Sequence, residues 1–276
     1  MNIQALPAIE SFTITALLAT AAICLVSVLI AWYTVRSRIQ FSQIILGVFA
    51  YVLVMLLENV FNMISATAGL PTSGMVYALY LTLSIVLSRE IVRTIVMKFG
   101  LLDRFNDTDA ALGFAIGFAG LYLFVCASYY FNLYTAAKEV AENGVEAFLM
   151  NAGTDQEEAY ALLEAITSQT GWEYIFTGLN RAFFLVRELA FSVLVWYGLG
   201  KEKMRYYLVL VPVMHFITML PDGLYGGGLM DSLYLKDVIT FVLTGGVIFL
   251  AAATYNKHED QATHYEVEKL RARKRK

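Results

Sequence analysis

Ionisable side chains interrupt several apolar stretches of this sequence, and three of them could do chemistry together. Glu90, Glu188 and His215 each lie within a run of apolar residues long enough to cross a membrane. A charged side chain in the bilayer interior costs about 2.5–3.5 kcal/mol on insertion scales, so such residues usually face one another or a cavity. Glu90 or Glu188 could act as a general base while His215 polarises a water or a carbonyl group.

Arginines accompany these groups. Arg93 lies three positions after Glu90, on nearly the same helix face, where it could position that carboxylate. The other ionisable residues within the apolar stretches are Glu58, Arg89, Arg181 and Arg187. Four arginines against three glutamates nearly balance in charge, so ion pairing is the economical arrangement.

These charges allow specific pairings. We expect Arg89 and Arg187 to complete the ion pairs around Glu90 and Glu188, and Glu58 to pair with Arg181. A set of buried ion pairs that only fixes the helix register is the simpler alternative.

The elements that position these residues follow from composition. The 276-residue chain is 58% hydrophobic and 16% charged, and its mean hydropathy is positive, which is typical of a membrane protein. A crossing helix needs about 20 apolar residues. The sequence therefore predicts an all-α bundle with seven transmembrane helices, at about 11–34, 41–65, 73–98, 110–133, 173–199, 205–221 and 234–256. Pro212 is expected to kink the sixth helix and Pro221 to end it.

The depth of each candidate along its helix predicts a shared site. Glu90 lies eight residues before residue 98, His215 ten after residue 205, and Glu188 eleven before residue 199. At about 1.5 Å per residue, the three side chains lie roughly 12–17 Å from the same membrane surface. We therefore predict a cluster of Glu90, Arg93, Glu188 and His215 at mid-depth.

Basic residues alternate between connecting segments and predict the orientation. They follow the first, third and fifth spans and fill the carboxyl-terminal tail, whereas segments 66–72 and 222–233 carry none and 134–172 carries only Lys138. The N-terminus is expected outside and the C-terminus inside. We predict one bundle domain over 1–256, with amphipathic helices at 134–172 capping the outer face, and a basic cytoplasmic tail at 257–276 that contacts membrane lipids.

The remaining residues predict no cofactor and no nucleic-acid partner. The net charge is −3, and Cys24 and Cys126 lie in apolar stretches where they act as small apolar fillers. The two carboxylates and His215 could hold a divalent cation, but the neighbouring arginines oppose it. Glycines at 113, 117 and 120, and again at 245 and 246, predict close helix packing.

Four segments resemble, in order and spacing, the motif regions of the YhfC-type membrane proteins. These belong to the glutamic intramembrane protease superfamily, with the CAAX-processing and PrsW-type proteases. The segments are SREIVR (88–93), GFAGLY (117–122), LNRAFFLVRELAFSVLVWYGL (179–199) and VPVMHFITMLPDGLY (211–225). The resemblance implies that a glutamate and histidines activate a water molecule, which attacks a peptide bond inside the membrane.

The first two motif regions are only partly kept. The family's Glu-Glu-x-x-Arg pattern falls on Arg89, Glu90 and Arg93, so its first glutamate is replaced by an arginine. The histidine and glutamate of the second region fall on Phe118 and Tyr122. The replacement of the first glutamate by Arg89 removes the general base that the resemblance implies. The apolar ring of Phe118 is expected to exclude water from part of the pocket.

The last two motif regions also combine kept and replaced residues. The third region's arginine is kept as Arg181, but its histidine falls on Glu188. The fourth region's histidine is kept as His215, and the polar residue four positions later is Met219. An acid lost at Arg89 is thus matched by an acid gained at Glu188, which suggests a re-paired polar interior.

Three functions follow from these observations. The first is a protease-like protein of the bacterial cytoplasmic membrane with weakened or lost peptidase activity, which binds a membrane-embedded peptide or a partner membrane protein. The second is an active intramembrane peptidase in which Glu90, Glu188 and His215 take reassigned roles. The third is a small-solute transporter or channel, because midplane charges and interrupted helices are common there.

Overall fold

The computed structural model describes residues 9–102, 104, 105, 107–151 and 156–274, with side chains up to residue 257. Its described residues form nine α-helices and no strand. The helices are α1 Ser11–Val35, α2 Phe41–Thr67, α3 Gly74–Val96, α4 Asp109–Asn143, α5 Val145–Asn151, α6 Gln156–Thr167, α7 Gly171–Gly200, α8 Tyr207–Gly226 and α9 Leu233–Lys274. One π-helical turn, Met97–Leu101, extends α3, and a 3-10 turn, Glu202–Met204, precedes α8.

Seven helices among the described residues are long and apolar enough to span a membrane, which confirms the predicted all-α bundle. They are α1, α2, α3, α4, α7, α8 and α9. The α4 and α7 helices are the most buried and form the centre, with α1 and α2 packed on α4 and α9 packed on α7. The α3 and α8 helices pack against each other and bring their polar residues toward α7.

Three helix ends lie well beyond the predicted bounds, and one of them is the end of α9, which continues from position 256 to Lys274. The α4 helix continues ten residues past position 133, because Ala136, Ala137 and Val140 are buried against the short helices that follow it. The prediction that Pro221 ends the sixth span was wrong, since α8 runs through it to Gly226. Beyond the proline, Gly223 packs closely on the Ala78 carbonyl of α3, and this contact holds the extra turn in place.

The α5 and α6 helices lie at one end of the bundle, which we call the cap side; the opposite end is the tail side. Phe148 of α5 and Leu163 and Ile166 of α6 are buried against α1, α4 and α7. Amphipathic helices were therefore correctly predicted in 134–172. The division into a bundle domain, a cap and a tail, and the orientation of the termini, stay predictions.

The prediction of close helix packing at glycines is confirmed on α4 and was wrong on α9. A Cβ on Gly117 would overlap the Ile44 backbone of α2, and a Cβ on Gly113 would overlap Gln43. Around Gly245 and Gly246, by contrast, nothing in the part of the chain with described side chains lies within 4 Å of such a Cβ.

Candidate functional site

Four side chains from three helices meet inside the bundle, and we call them the central cluster. Arg93 of α3 donates through Nη1 to Oε1 of Glu90 at 2.7 Å, and through Nη2 to Oε2 of Glu188 on α7. His215 of α8 places Nδ1 2.5 Å from the same Glu90 Oε1, and Nε2 3.8 Å from Glu188 Oε1. The sequence predicted this set, and the equal depth of its members along three helices is what brings it together.

The central cluster is buried on all sides. Arg93, Glu188 and His215 are 0% exposed and Glu90 is 4% exposed. The ring of Phe118 lies 5.2 Å from the Arg93 guanidinium. Phe191 lies 5.7 Å from that guanidinium and 4.7 Å from the imidazole of His215. Aromatic rings therefore replace solvent around a charge that would be costly in an apolar interior.

The cluster keeps four polar atoms without hydrogen-bond partners among the described residues. They are Oε2 of Glu90, Nε of Arg93, Oε1 of Glu188 and Nε2 of His215. Each carboxylate thus commits one oxygen to Arg93 and leaves the other free, while His215 commits one ring nitrogen to Glu90. A proton could move between His215 and Glu90 along their 2.5 Å hydrogen bond, or between His215 and Glu188 if their free atoms came closer than 3.8 Å.

The same donor set does not fit a metal ion. No group of three or more His, Cys, Asp or Glu in the described part of the chain is arranged to hold one. Glu90 and Glu188 are both bound by the Arg93 guanidinium, whose positive charge stands where a cation would need carboxylate oxygens.

The three pairings predicted for Arg89, Arg181 and Arg187 were wrong. Glu58 lies 3.5 Å from Arg89, not beside Arg181, because Arg89 points from α3 toward α2 and away from the central cluster. Arg181 donates to the hydroxyl of Tyr122 instead. Arg187 does not join the central cluster either: Nη2 lies 3.0 Å from the sulfur of Met219, and no carboxylate of a described residue is within ion-pair distance.

A second polar group lies nearer the cap side and was missed in the sequence. Lys236 of α9 bridges Asp222 of α8, at 3.2 Å, and Asp237 of its own helix, at 3.0 Å. Asp237 is fully buried and also accepts from Asn180 of α7 at 2.5 Å. The adjacent Lys and Asp at the start of an otherwise apolar span were the signal that could have revealed it.

The site residues lie within one sequence family. The YhfC intramembrane metalloprotease family matches residues 21–240, which include every residue of the central cluster. No curated protein and no solved structure matches the chain. The family match covers well over half of the 276 residues. The chain is therefore an integral membrane protein that belongs to the YhfC intramembrane metalloprotease family.

Proposed function

We propose that this member of the family has weakened or lost peptidase activity and binds a membrane-embedded peptide or partner protein. The observation that carries the proposal is the position of Arg93. One guanidinium binds both carboxylates of the central cluster, and His215 binds Glu90. A general base must take a proton from water, and the ion pairs with Arg93 favour the charged, unprotonated form of both carboxylates.

The family's description names a metal, and this chain's residues do not fit one. A catalytic metal site keeps three protein ligands and an open position. Here the Arg93 guanidinium binds one oxygen of each carboxylate, and its positive charge opposes a metal ion at the remaining oxygens. The proposal of weakened activity is consistent with this difference, and we derive no step through a metal.

A groove between α7 and α9 supports the binding part of the proposal. It has a volume of about 300 Å³ and an almost wholly apolar lining that includes Val186, Ala190, Ile248 and Ala252. Arg38 and Asn256 provide polar groups at its tail-side end. An apolar groove along two membrane helices suits the side chains of a third helix.

Two measurements test the proposal. The purified chain, reconstituted in lipid, is incubated with a panel of transmembrane and prenylated peptides; we expect no cleavage above that of Glu90→Gln. Cleavage by the unchanged protein that Glu90→Gln abolishes would overturn the loss of activity. For binding, a photo-crosslinking residue at Val186 should capture a membrane peptide or protein, whereas one at Phe249, 76% exposed outside the groove lining, serves as the control.

One observation favours an active peptidase as the second candidate. Oε1 of Glu188 and Nε2 of His215 face each other at 3.8 Å, and both lack a hydrogen-bond partner within the described residues. In that case Glu188 is the base, His215 polarises the water or carbonyl, and Arg93 positions the carboxylate. Full peptide cleavage by Glu188→Gln would rule out this assignment. No contact among the described residues favours the transporter alternative, which stays a hypothesis.

A further inference from the structure

Three arginines outside the central cluster surround one pair of aromatic rings. Tyr122 of α4 and Phe184 of α7 lie 4.3 Å apart between ring centroids. Arg89 lies 4.9 Å from the Phe184 ring and 5.6 Å from the Tyr122 ring. Arg181 lies 5.4 Å from Tyr122, and Arg187 lies 5.4 Å from Phe184. We call Arg89, Arg181 and Arg187 the arginine group.

The arginine group carries more positive charge than its neighbours neutralise. Glu58, 3.5 Å from Arg89, is the one carboxylate among the described residues that pairs with it. The other acids nearby are committed elsewhere: Glu90 and Glu188 bind Arg93, and Asp222 binds Lys236.

One nitrogen of each guanidinium also lacks a hydrogen-bond partner among the described residues. Arg89 is 5% exposed and Arg187 is 3% exposed. The Nε atoms of Arg89, Arg181 and Arg187 are all buried, and none has a hydrogen-bond partner in the described part of the chain. A buried charge without a counter-charge costs several kcal/mol, so an anion beside Arg187 and the partly buried Arg181 would stabilise both.

We infer that the arginine group is a binding site for a phosphate oxyanion. Guanidinium groups bind phosphate oxygens through paired, charge-assisted hydrogen bonds, and removal of water by the aromatic rings strengthens them. Tyr122 and Arg181 are partly exposed and the Glu58 side chain is 26% exposed, so this is the side from which an anion would reach the group. Free phosphate and a phospholipid headgroup share this chemistry. The inference does not depend on whether the central cluster is active.

Thermal unfolding of the full chain in a neutral detergent tests the site. We expect inorganic phosphate to raise the melting temperature saturably above that in chloride at equal ionic strength, because a ligand that binds only the folded state stabilises it. A separate arm compares added phosphatidylglycerol with phosphatidylcholine. Stabilisation by phosphate and by phosphatidylglycerol assigns a general phosphate site, and stabilisation by phosphatidylglycerol alone assigns a lipid headgroup site.

The variants make the test specific. Arg187→Met and Arg181→Gln should each weaken anion binding, which raises the half-saturating anion concentration about tenfold or more. The control Arg205→Gln, whose side chain is exposed and paired with Glu202, should respond like the unchanged protein. Without anion, Arg187→Met should melt at the same or a higher temperature, since it removes an uncompensated charge. Absence of stabilisation by either anion, or equal stabilisation of Arg187→Met and Arg205→Gln, would overturn the inference.

Discussion

Arg93 on α3 donates to Glu188 on α7, and this ion pair joins two helices that make few other contacts with each other. The same guanidinium binds Glu90 one helical turn earlier on α3. Arg93 therefore links the acid on each helix into one network that excludes solvent. The network joins α3 to α7 and holds both carboxylates in ion pairs.

Arg93→Met should destabilise the protein strongly. The substitution leaves Glu90 and Glu188 as buried carboxylates without their cation, and breaking a buried ion pair in this way costs about 3–5 kcal/mol. The free energy of unfolding, measured by denaturant titration in mixed micelles, checks the loss. Arg205→Gln, which breaks an exposed pair, should change that free energy by less than about 1 kcal/mol. Equal effects of the two variants would contradict the assigned role of Arg93.

Glu90 and His215 should be energetically coupled. Their 2.5 Å contact is buried, so each single substitution leaves the other group without its partner, whereas the double variant does not. A double-mutant cycle of Glu90→Gln and His215→Phe should give a coupling of about 0.5–3 kcal/mol in the free energy of unfolding. The matched control is a cycle of Glu90→Gln with Arg205→Gln, which should be additive. An additive result for Glu90 and His215 would count against the contact.

Gly117→Ala should separate α2 from α4. Its Cβ would overlap the backbone of Ile44, which cannot move aside as a side chain can, so we expect a loss of about 1–3 kcal/mol. Gly245→Ala is the control, because its Cβ meets nothing within 4 Å, and its stability should be unchanged or raised by up to about 1 kcal/mol. The same unfolding titration measures both, and a tolerated Gly117→Ala would argue against the close approach of the two helices.

The orientation of the chain can be read by labelling. In a Cys24→Ala, Cys126→Ala background, Met150→Cys introduces an exposed thiol on α5 and Lys203→Cys one at the opposite end of the bundle. If basic segments face the cytoplasm, a membrane-impermeant maleimide should label position 150 in intact cells and position 203 only after permeabilisation. The reverse pattern would invert the predicted topology.

The sequence alone predicted the seven spans and the four members of the central cluster. Hydrophobic length is a local property, and depth follows from counting residues along a helix, so Glu90, Glu188 and His215 could be placed at one level. The family resemblance could also be recognised from the sequence, because the family's motifs are short segments in a fixed order. The family match confirms it.

The partners of the arginines were decided by the tertiary structure. Counting residues gives a side chain's depth but not the rotation of its helix or the order of neighbouring helices, and those set whether Glu58 meets Arg181 or Arg89. The extension of α8 past Pro221 likewise depends on a contact between Gly223 and α3 that no pattern within α8 contains. Local sequence thus fixed which groups are buried in the membrane, whereas helix packing determined which of them neutralise one another and which remain unpaired.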